Sequence, residues 1–201
     1  MNIVLIGDSI FDNGSYVGES VSDLVKKSIL NADVDLLAVD GDVTTDVYKQ
    51  LERFPSTADY VFVSCGGNDA LRSISILEEK ASSVGSALDI LYQAKERFRS
   101  DYVGMLEAIL KKHKKVAVCT IYNKVPGLSQ SAYTALALFN EAILEELASR
   151  NLPVIDLRVI CDEERDYSTI SPIEPSVFGG AKIVDRIRKV IGNDFLSKVY
   201  V

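Results

Sequence analysis

Near its start the chain carries Ile3-Val4-Leu5-Ile6, a short apolar run, followed directly by Gly7-Asp8-Ser9-Ile10. An apolar run of this kind is typical of a buried strand in a parallel sheet. Gly7 permits a sharp turn off that strand, because glycine accepts backbone conformations that other residues avoid. We therefore expect Ser9 at the carboxyl end of the first strand, close to a helix predicted over Val17–Leu30. Ligands of open α/β sheets bind at this edge, and helix N-termini favour negative charge.

The composition is that of a globular protein. The 201 residues are 47% hydrophobic and 25% charged, which predicts a single domain over residues 1–201 with a sizeable core. The net charge of −7 and the absence of a long basic run argue against nucleic acid or an anionic membrane as partner. No apolar stretch reaches membrane-spanning length, and no signal-peptide pattern precedes the first strand. These features predict a cytoplasmic protein.

The sequence predicts neither a metal site nor a cofactor. The three cysteines, Cys65, Cys119 and Cys161, are odd in number and widely spaced, which fits neither a disulfide framework nor a zinc site. Cys65 and Cys119 lie in apolar runs and are predicted to be small core residues. The acidic loop 162–166 has no histidine or cysteine companion, and no glycine pair fits a nucleotide-binding loop.

Strand and helix patterns alternate along the chain, which predicts a parallel sheet covered by helices on both faces. Five strands are predicted, at Asn2–Gly7, Val34–Val39, Tyr60–Ser64, Val116–Ile121 and Pro153–Leu157. After the first helix, further helices are predicted at Thr44–Arg53, in the second half of 70–112, at Ser131–Arg150 and at Gly179–Ile191. The segment 73–86 is predicted to be a short helix or a loop over the sheet.

Three residues with useful chemistry each follow the end of a different predicted strand, namely Ser9, Gly41 and Asn68. Ser9 offers a hydroxyl nucleophile, Gly41 an approachable backbone N–H and Asn68 an amide donor. A hydroxyl beside fixed donors suits acyl transfer, because the tetrahedral intermediate places negative charge on the carbonyl oxygen. Each residue alone also fits a turn glycine or a helix cap. Their joint placement at one sheet edge indicates a site.

In the sequence around these three residues and near its end, the chain resembles the SGNH (GDSL-type) hydrolases. Four blocks carry the resemblance, in the family's order: Ile6–Ile10, Asp40-Gly41 with Thr44-Thr45, Gly66–Asp69, and Ile173–Ser176 with Gly179–Ile183. The resemblance implies a flavodoxin-like three-layer α/β/α sandwich and an esterase or lipase acting on a small-molecule ester or acyl ligand. It also implies Ser9 as nucleophile and an oxyanion hole made by Ser9, Gly41 and Asn68. Asp8 and Ser171 are predicted to support the site.

The last block departs from the family pattern. Where the family has an Asp, two residues and then a His, this chain has Ser171 and Glu174. The one histidine, His113, lies in a basic run before the fourth predicted strand, at the opposite end of the sheet from Ser9. A strand of five or six residues spans roughly 17–20 Å, so His113 is not expected to reach Ser9 within one chain.

Three hypotheses for the catalytic base remain open. Glu174 acts as general base for Ser9, with burial raising its pKa; or the chain has lost hydrolysis and keeps a ligand-binding pocket; or another group assists Ser9. That group would be His113 from a second copy, or a residue of the loop before Glu174, where the candidates are Asp162, Glu163, Glu164, Asp166 and Tyr167. A purely structural alternative has Glu174 capping the last helix or pairing with Arg158.

The first hypothesis makes the chain a serine-dependent acyl hydrolase for small or medium esters, with Glu174 in the usual place of histidine. It predicts activity that rises with pH and is lost in Ser9→Ala. The second makes it a ligand-binding or interaction protein on the same fold. It predicts stabilisation by ligand without turnover.

Overall fold

The structure, a computed structural model, describes residues 1–201 and contains one parallel sheet of six strands. The spatial order is β2-β1-β3-β4-β5-β6, and every neighbouring pair is parallel. The strands are β1 (Asn2–Gly7), β2 (Asp33–Leu36), β3 (Tyr60–Ser64), β4 (Val116–Cys119), β5 (Val154–Ile155) and β6 (Val199–Tyr200). The α/β class is confirmed, whereas the predicted number of five strands is wrong. The sixth strand is two residues long, too short to produce a recognisable pattern.

Helices cover both faces of the sheet, as predicted. They are α1 (Val21–Ser28), α2 (Val47–Leu51), α3 (Gly67–Arg72), α4 (Val84–Lys112), α5 (Gln130–Ser149), α6 (Leu157–Ile160) and α7 (Val177–Gly192). One apolar core joins α1 and α7 to Ile3 and Leu5 of β1. The other joins α2, α4 and α5 to Val4 and Ile6 of the same strand. Because β1 is buried on both faces, its sequence is uniformly apolar rather than alternating.

Local capping explains where some elements begin. The helix predicted from Val17 starts at Val21, because the Ser20 hydroxyl accepts a 3.1 Å bond from the Asp23 N–H and fixes the first turn. Strand β2 ends at Leu36 rather than Val39. The backbone of Leu37 and Val39 still bonds to Leu5 and Gly7, but outside a regular ladder.

Two of the predicted helical segments are divided in the structure. The helix predicted at Thr44–Arg53 is a 3-10 turn, Thr44–Asp46, that leads into α2. The segment after β3 opens with α3, continues as the 3-10 turn Ile74–Glu78 and then enters the long helix α4. The last predicted strands are shorter than expected, with β4 ending at Cys119. No helix of the chain has the length and apolar character needed to cross a membrane.

A close approach of β1 and β3 fixes the backbone just before Ser9. Gly7 pairs with Ser64, and its φ is +127°. A Cβ at Gly7 would stand 1.7 Å from the Ser64 carbonyl oxygen, so only glycine fits. That oxygen accepts a 2.9 Å bond from the Asp8 N–H, and Gln50 bonds to both the N–H and the C=O of Gly7 at 2.9 and 2.7 Å. The turn that carries Asp8 and Ser9 is therefore held at a fixed point of the sheet edge.

Candidate active site

Ser9 and Glu174 meet at the carboxyl edge of the sheet. The Ser9 hydroxyl donates a 2.8 Å hydrogen bond to Oε1 of Glu174. Both side chains are buried, with 6% of Ser9 and 2% of Glu174 exposed. A hydroxyl that donates to a buried carboxylate is oriented with its proton toward a potential base. The structure thus brings together Ser9, the predicted nucleophile, and Glu174, one of the predicted candidates for its base.

Glu174 is placed by the loop that precedes α7. The Glu174 N–H donates to the Ser171 carbonyl at 3.0 Å, and the Glu174 carbonyl accepts from the Ser168 N–H at 2.8 Å. The buried Tyr122 hydroxyl also donates to the carbonyl of Ile173. The first two bonds lie within the loop, and the third joins the loop to Tyr122. They fix the Glu174 backbone while its side chain turns toward Ser9.

The two structural alternatives for Glu174 are wrong. The cap of α7 is Ser176, whose hydroxyl accepts from the N–H groups of Phe178 and Gly179. Arg158 pairs instead with Asp156, at 2.6 Å, because the two lie two residues apart at the end of β5. The Glu174 carboxylate therefore has neither role.

Burial is the main cause of a raised Glu174 pKa. It raises the pKa of the carboxyl from 4.5 to about 7, with the negative charges of Asp40 and Asp12 adding to the rise and the hydrogen bond from Ser9 opposing it. The second carboxyl oxygen, Oε2, is buried and has no hydrogen-bond partner. An unpartnered buried oxygen is costly for a carboxylate, which is consistent with the raised pKa.

Asp8, predicted to support the site, is a second buried carboxyl beside Ser9. Only 3% of its surface is exposed. Burial raises its pKa from 3.8 to about 8; the Ile10 N–H, which donates to Oδ1 at 3.2 Å, opposes the shift, and the charges of Glu174 and Asp69 add to it. Asp8 is thus expected to stay protonated at neutral pH. Of the two carboxyl groups, Glu174 has the lower pKa and therefore ionises first as the pH rises.

The predicted oxyanion donors differ in whether an acceptor of the protein already takes their hydrogen bond. The Ser9 and Gly41 N–H groups donate to no acceptor of the chain. Gly41 has a φ of +82°, a conformation that favours glycine. The Asn68 amide instead donates to the Asp42 carbonyl at 2.9 Å, which leaves one amide hydrogen for another acceptor. That bond also ties Asn68 to the turn that contains Gly41.

The other candidates stand apart from Ser9. Ser171 acts through its backbone carbonyl, and its hydroxyl makes no hydrogen bond to Glu174, so the supporting role predicted for its side chain is not seen. His113 follows α4 and precedes β4, at the amino end of the sheet. The loop candidates bond elsewhere: Asp162 and Asp166 to Lys182, Glu163 to Arg165, and Tyr167 to the Cys161 carbonyl; Glu164 makes no ion pair.

A large apolar pocket opens beside Ser9 and Glu174. Its empty volume is about 980 Å³, open mouth included. The 3-10 turn Ile74–Glu78 and the facing sides of α4 and α5 supply half of its hydrophobic side chains, Ile76, Leu91, Leu136 and Phe139 among them. Asp8 and Asn68 also line it, whereas no lysine, arginine or histidine does. Nor do three or more histidine, cysteine or acidic side chains cluster in a way that could hold a metal ion.

Two buried polar residues that the sequence analysis did not single out complete the site. Asn13 donates from Nδ2 to the Pro175 carbonyl at 2.9 Å and accepts from the Val21 N–H at 2.9 Å. It thereby ties the loop after β1 to the loop that carries Glu174. Gln50 holds the end of β1 from α2. Neither residue belongs to a recognisable motif, and their partners are distant in sequence.

Known proteins share this arrangement of strands and helices. Residues 5–177 match the model of the GDSL-like Lipase/Acylhydrolase family, and no curated protein sequence matches the chain. A lipase/acylhydrolase from Enterococcus faecalis is 25% identical, with 98% of each chain covered and a TM-score of 0.67.

Two more distant structures show the same fold. The acetyl xylan esterase AlAXEase is 17% identical, with 95% of this chain and 100% of that chain covered and a TM-score of 0.71. Phospholipase A1 from Streptomyces albidoflavus NA297 is 18% identical, with 96% and 98% covered and a TM-score of 0.66. Since the family match takes in most of the sequence, the chain belongs to the GDSL-like lipase/acylhydrolase family.

Proposed function

We propose that the protein is a serine-dependent hydrolase of acyl esters in which Ser9 is the nucleophile and Glu174 the general base. The observation that carries this proposal is the 2.8 Å hydrogen bond from the Ser9 hydroxyl to Oε1 of Glu174, between two buried side chains that line the apolar pocket. Family membership supports the reaction class. The residue roles rest on the geometry of the site.

Acylation begins with attack of Ser9 Oγ on the ester carbonyl carbon. The proton of the hydroxyl passes to Glu174, and a new C–O bond forms as the carbonyl electrons move to the oxygen. The N–H groups of Ser9 and Gly41, with the remaining amide hydrogen of Asn68, are the donors available to that oxyanion. When the intermediate collapses, the alcohol leaves with the proton held by Glu174.

Deacylation repeats the sequence with water as nucleophile. Glu174 takes a proton from the water as it attacks the acyl-serine carbonyl. Collapse of the second intermediate releases the carboxylic acid, and the proton returns to Ser9 Oγ. Each cycle therefore consumes one ester and one water and leaves the enzyme unchanged.

A glutamate can serve as base here because of its surroundings. An ordinary glutamate has a pKa near 4.3, too low to draw a proton from a hydroxyl efficiently. Burial and two nearby negative charges raise the pKa of Glu174 to about 7. At neutral pH a substantial fraction of Glu174 is then deprotonated. The deprotonated carboxylate is also a stronger proton acceptor than the carboxylate of an ordinary glutamate.

The apolar pocket is proposed to hold the acyl chain. Its walls expose almost only hydrocarbon, as is typical of sites that bind apolar parts of small molecules. Small and medium acyl chains would bury their methylenes there at roughly 0.8 kcal/mol each. We therefore propose an ester of a small or medium carboxylic acid as substrate.

A second candidate function is ligand binding without catalysis. The bond from the Asn68 amide to the Asp42 carbonyl favours it, because this donor is partly engaged within the protein. The absence of a histidine base is in line with it as well. The same pocket would then hold an acyl ligand that is never cleaved.

Labelling with a small fluorophosphonate distinguishes the two functions. The reagent forms an O–P bond to an activated serine and expels fluoride, which intact-mass analysis detects as a single adduct. We expect the adduct in the wild type, none in Ser9→Ala and much slower labelling in Glu174→Gln. Glu163→Gln, at an exposed glutamate paired with Arg165, is the matched control and should label normally. A folded wild type that gives no adduct from pH 5 to 9 would contradict the hydrolase and support the binding protein.

A further inference from the structure

Gln50 is a buried polar side chain with hydrogen bonds to two of the turns that form the site. It lies on α2, where Val47 and Leu51 pack into the core, and only 1% of its surface is exposed. Its Oε1 accepts from the Gly7 N–H at 2.9 Å, and its Nε2 donates to the Gly7 carbonyl at 2.7 Å and to Oδ2 of Asp42 at 2.8 Å. One side chain therefore joins the end of β1 to the turn that follows β2.

The turn after β2 carries the N–H of Gly41. The Asp42 N–H donates to the Val39 carbonyl at 3.2 Å and closes a four-residue turn, in which Gly41 takes the third position with a φ of +82°. The Val39 N–H donates to the Gly7 carbonyl at 3.1 Å. The turn is thus bonded to the end of β1 in two places, directly at Val39 and through the Gln50 amide at Asp42.

Asp42 also joins this turn to the start of α3. Its carbonyl accepts from the Asn68 amide at 2.9 Å. Close by, the hydroxyl and the N–H of Thr44 donate to the Asp69 carboxylate at 2.7 and 3.2 Å. Asp42 therefore contacts Gln50 through its side chain and Asn68 through its backbone. A single series of hydrogen bonds connects the nucleophile turn with both of the other oxyanion donors.

Resting on the hydrolase function proposed above, we propose that Gln50 is a positioning residue, which sets the distance between the Ser9 nucleophile and the oxyanion donors. The donors concerned are the Gly41 N–H and the Asn68 amide. Such donors act at roughly 2.7–3.1 Å from the oxyanion, and a displacement of about 1 Å costs about 10²-fold in rate. Because the carbonyl oxygen becomes negative only in the tetrahedral intermediate, displaced donors should lower kcat and leave KM nearly unchanged.

Two substitutions of Asp42 separate positioning from folding. Replacing Gln50 itself would also leave the buried Gly7 N–H without an acceptor, so a loss of activity would not distinguish the two roles. Asp42→Ala removes only the acceptor on the far side of Gln50 and leaves the Ser9–Glu174 bond in place. Asp42→Asn keeps an oxygen acceptor for Nε2 of Gln50. Both variants lose the same negative charge, so their difference reports the hydrogen bond.

Steady-state kinetics with p-nitrophenyl hexanoate at pH 8 measure this difference. We expect kcat of Asp42→Ala to fall by about tenfold with KM within about twofold of the wild type. Asp42→Asn should restore kcat to within about twofold of the wild-type value. A kcat of Asp42→Ala equal to that of the wild type would overturn the proposal. Equal losses in the two variants would do so as well, because they would assign the effect to the charge.

Methyl hexylphosphonate separates this proposal from the hydrolase itself. The phosphonate is a tetrahedral anion that needs the same donors as the oxyanion and is not cleaved. Calorimetry at pH 6, below the pKa of Glu174 of about 7, measures its binding to the wild type and to both Asp42 variants. If the wild type neither hydrolyses esters nor takes the fluorophosphonate label, the hydrolase proposal fails, and this binding decides the role of Gln50. We expect affinity to fall about tenfold in Asp42→Ala and to be kept in Asp42→Asn. In that case, equal binding by the wild type and Asp42→Ala, or no binding by the wild type, would overturn the proposal.

Discussion

The Ser9 hydroxyl donates to Glu174 across 165 residues of sequence, at 2.8 Å. The turn that carries Ser9 follows the buried strand β1, whereas Glu174 lies in the loop before the last helix. Both ends of this contact are held by bonds to other elements, Gly7 by Gln50 and the Glu174 loop by Tyr122. The dyad is therefore a property of the whole fold rather than of a local motif.

The pH dependence of hydrolysis should follow the ionisation of Glu174. A general base acts in its deprotonated form, so kcat/KM for a neutral ester should be low below the pKa, rise through about pH 7 and then level off. Glu174→Gln should lose this rise and about 10²–10⁴-fold of the rate. Initial rates with a p-nitrophenyl ester from pH 5 to 9 measure both effects.

Two controls accompany the pH profile. Glu163→Gln changes an exposed glutamate of the preceding loop and should keep both the rate and the rise. The wild-type profile would speak against Glu174 as base if it were flat from pH 5 to 9. A Glu174→Gln variant that kept the rise would do the same.

Asp8 should make the folded protein less stable as pH rises. The folded state keeps the Asp8 proton up to about pH 8, whereas the ordinary pKa of an exposed aspartic acid is 3.8. The unfolded chain therefore binds fewer protons in this window, and the free energy of unfolding falls with rising pH. Asp8→Asn removes this dependence and keeps an acceptor for the Ile10 N–H.

Urea unfolding of wild type and Asp8→Asn at pH 5 and pH 8 measures the effect. Relative to wild type, the variant should gain about 2–4 kcal/mol between these two pH values. Asp101→Asn, at an exposed position of α4, should track the wild type. A stability difference between Asp8→Asn and wild type that is the same at both pH values would show that Asp8 ionises normally in the folded protein.

Asn13 should matter both for stability and for the geometry of the dyad. Asn13→Ala leaves the Pro175 carbonyl and the Val21 N–H without their buried partner, at a cost of about 2–4 kcal/mol in the free energy of unfolding. The Glu174 loop also loses its tie to the loop after β1, so fluorophosphonate labelling of Ser9 should slow by about tenfold. Urea unfolding and labelling kinetics measure the two effects.

Asn193→Ala is the matched control for Asn13. Its exposed amide caps the end of α7 by donating to the Lys189 carbonyl, so its loss should cost about 0.5 kcal/mol or less and leave labelling unchanged. If Asn13→Ala were destabilised but labelled at the wild-type rate, Asn13 would support the fold without positioning the dyad.

The sequence predicted the bounds of β1 and β3 well and those of the edge strands β2 and β6 poorly, for physical reasons. β1 and β3 match their predicted bounds because each is buried on both faces and so is apolar throughout. β6 escaped prediction because two residues carry no periodicity. Strand β2 is shorter than its apolar run, because its last residues bond to β1 outside the regular ladder.

The site also contains residues that the sequence predicts and residues that it does not predict. The blocks around Ser9 and Asn68 are visible in the sequence because they directly follow apolar strands. The pairing of Ser9 with Glu174 was one of several open hypotheses, and the structure places these two side chains in contact. The role of Asn13 was not foreseen, because its partners, the Pro175 carbonyl and the Val21 N–H, come near it only after the chain folds.

The width of the apolar pocket should set the preferred acyl length. Ala135 lines the pocket from α5, so Ala135→Phe should fill part of the chain-binding space. We expect kcat/KM for octanoyl esters to fall about tenfold while that for acetyl esters changes little, because a longer chain loses the burial of several methylenes. Ala137→Phe, two residues along the same helix and exposed to solvent, is the control and should keep the wild-type ratio of octanoate to acetate. A series of p-nitrophenyl esters from two to ten carbons measures that ratio. Equal losses for all chain lengths in Ala135→Phe would mean that the pocket wall had been disturbed as a whole, and that the acyl chain lies elsewhere.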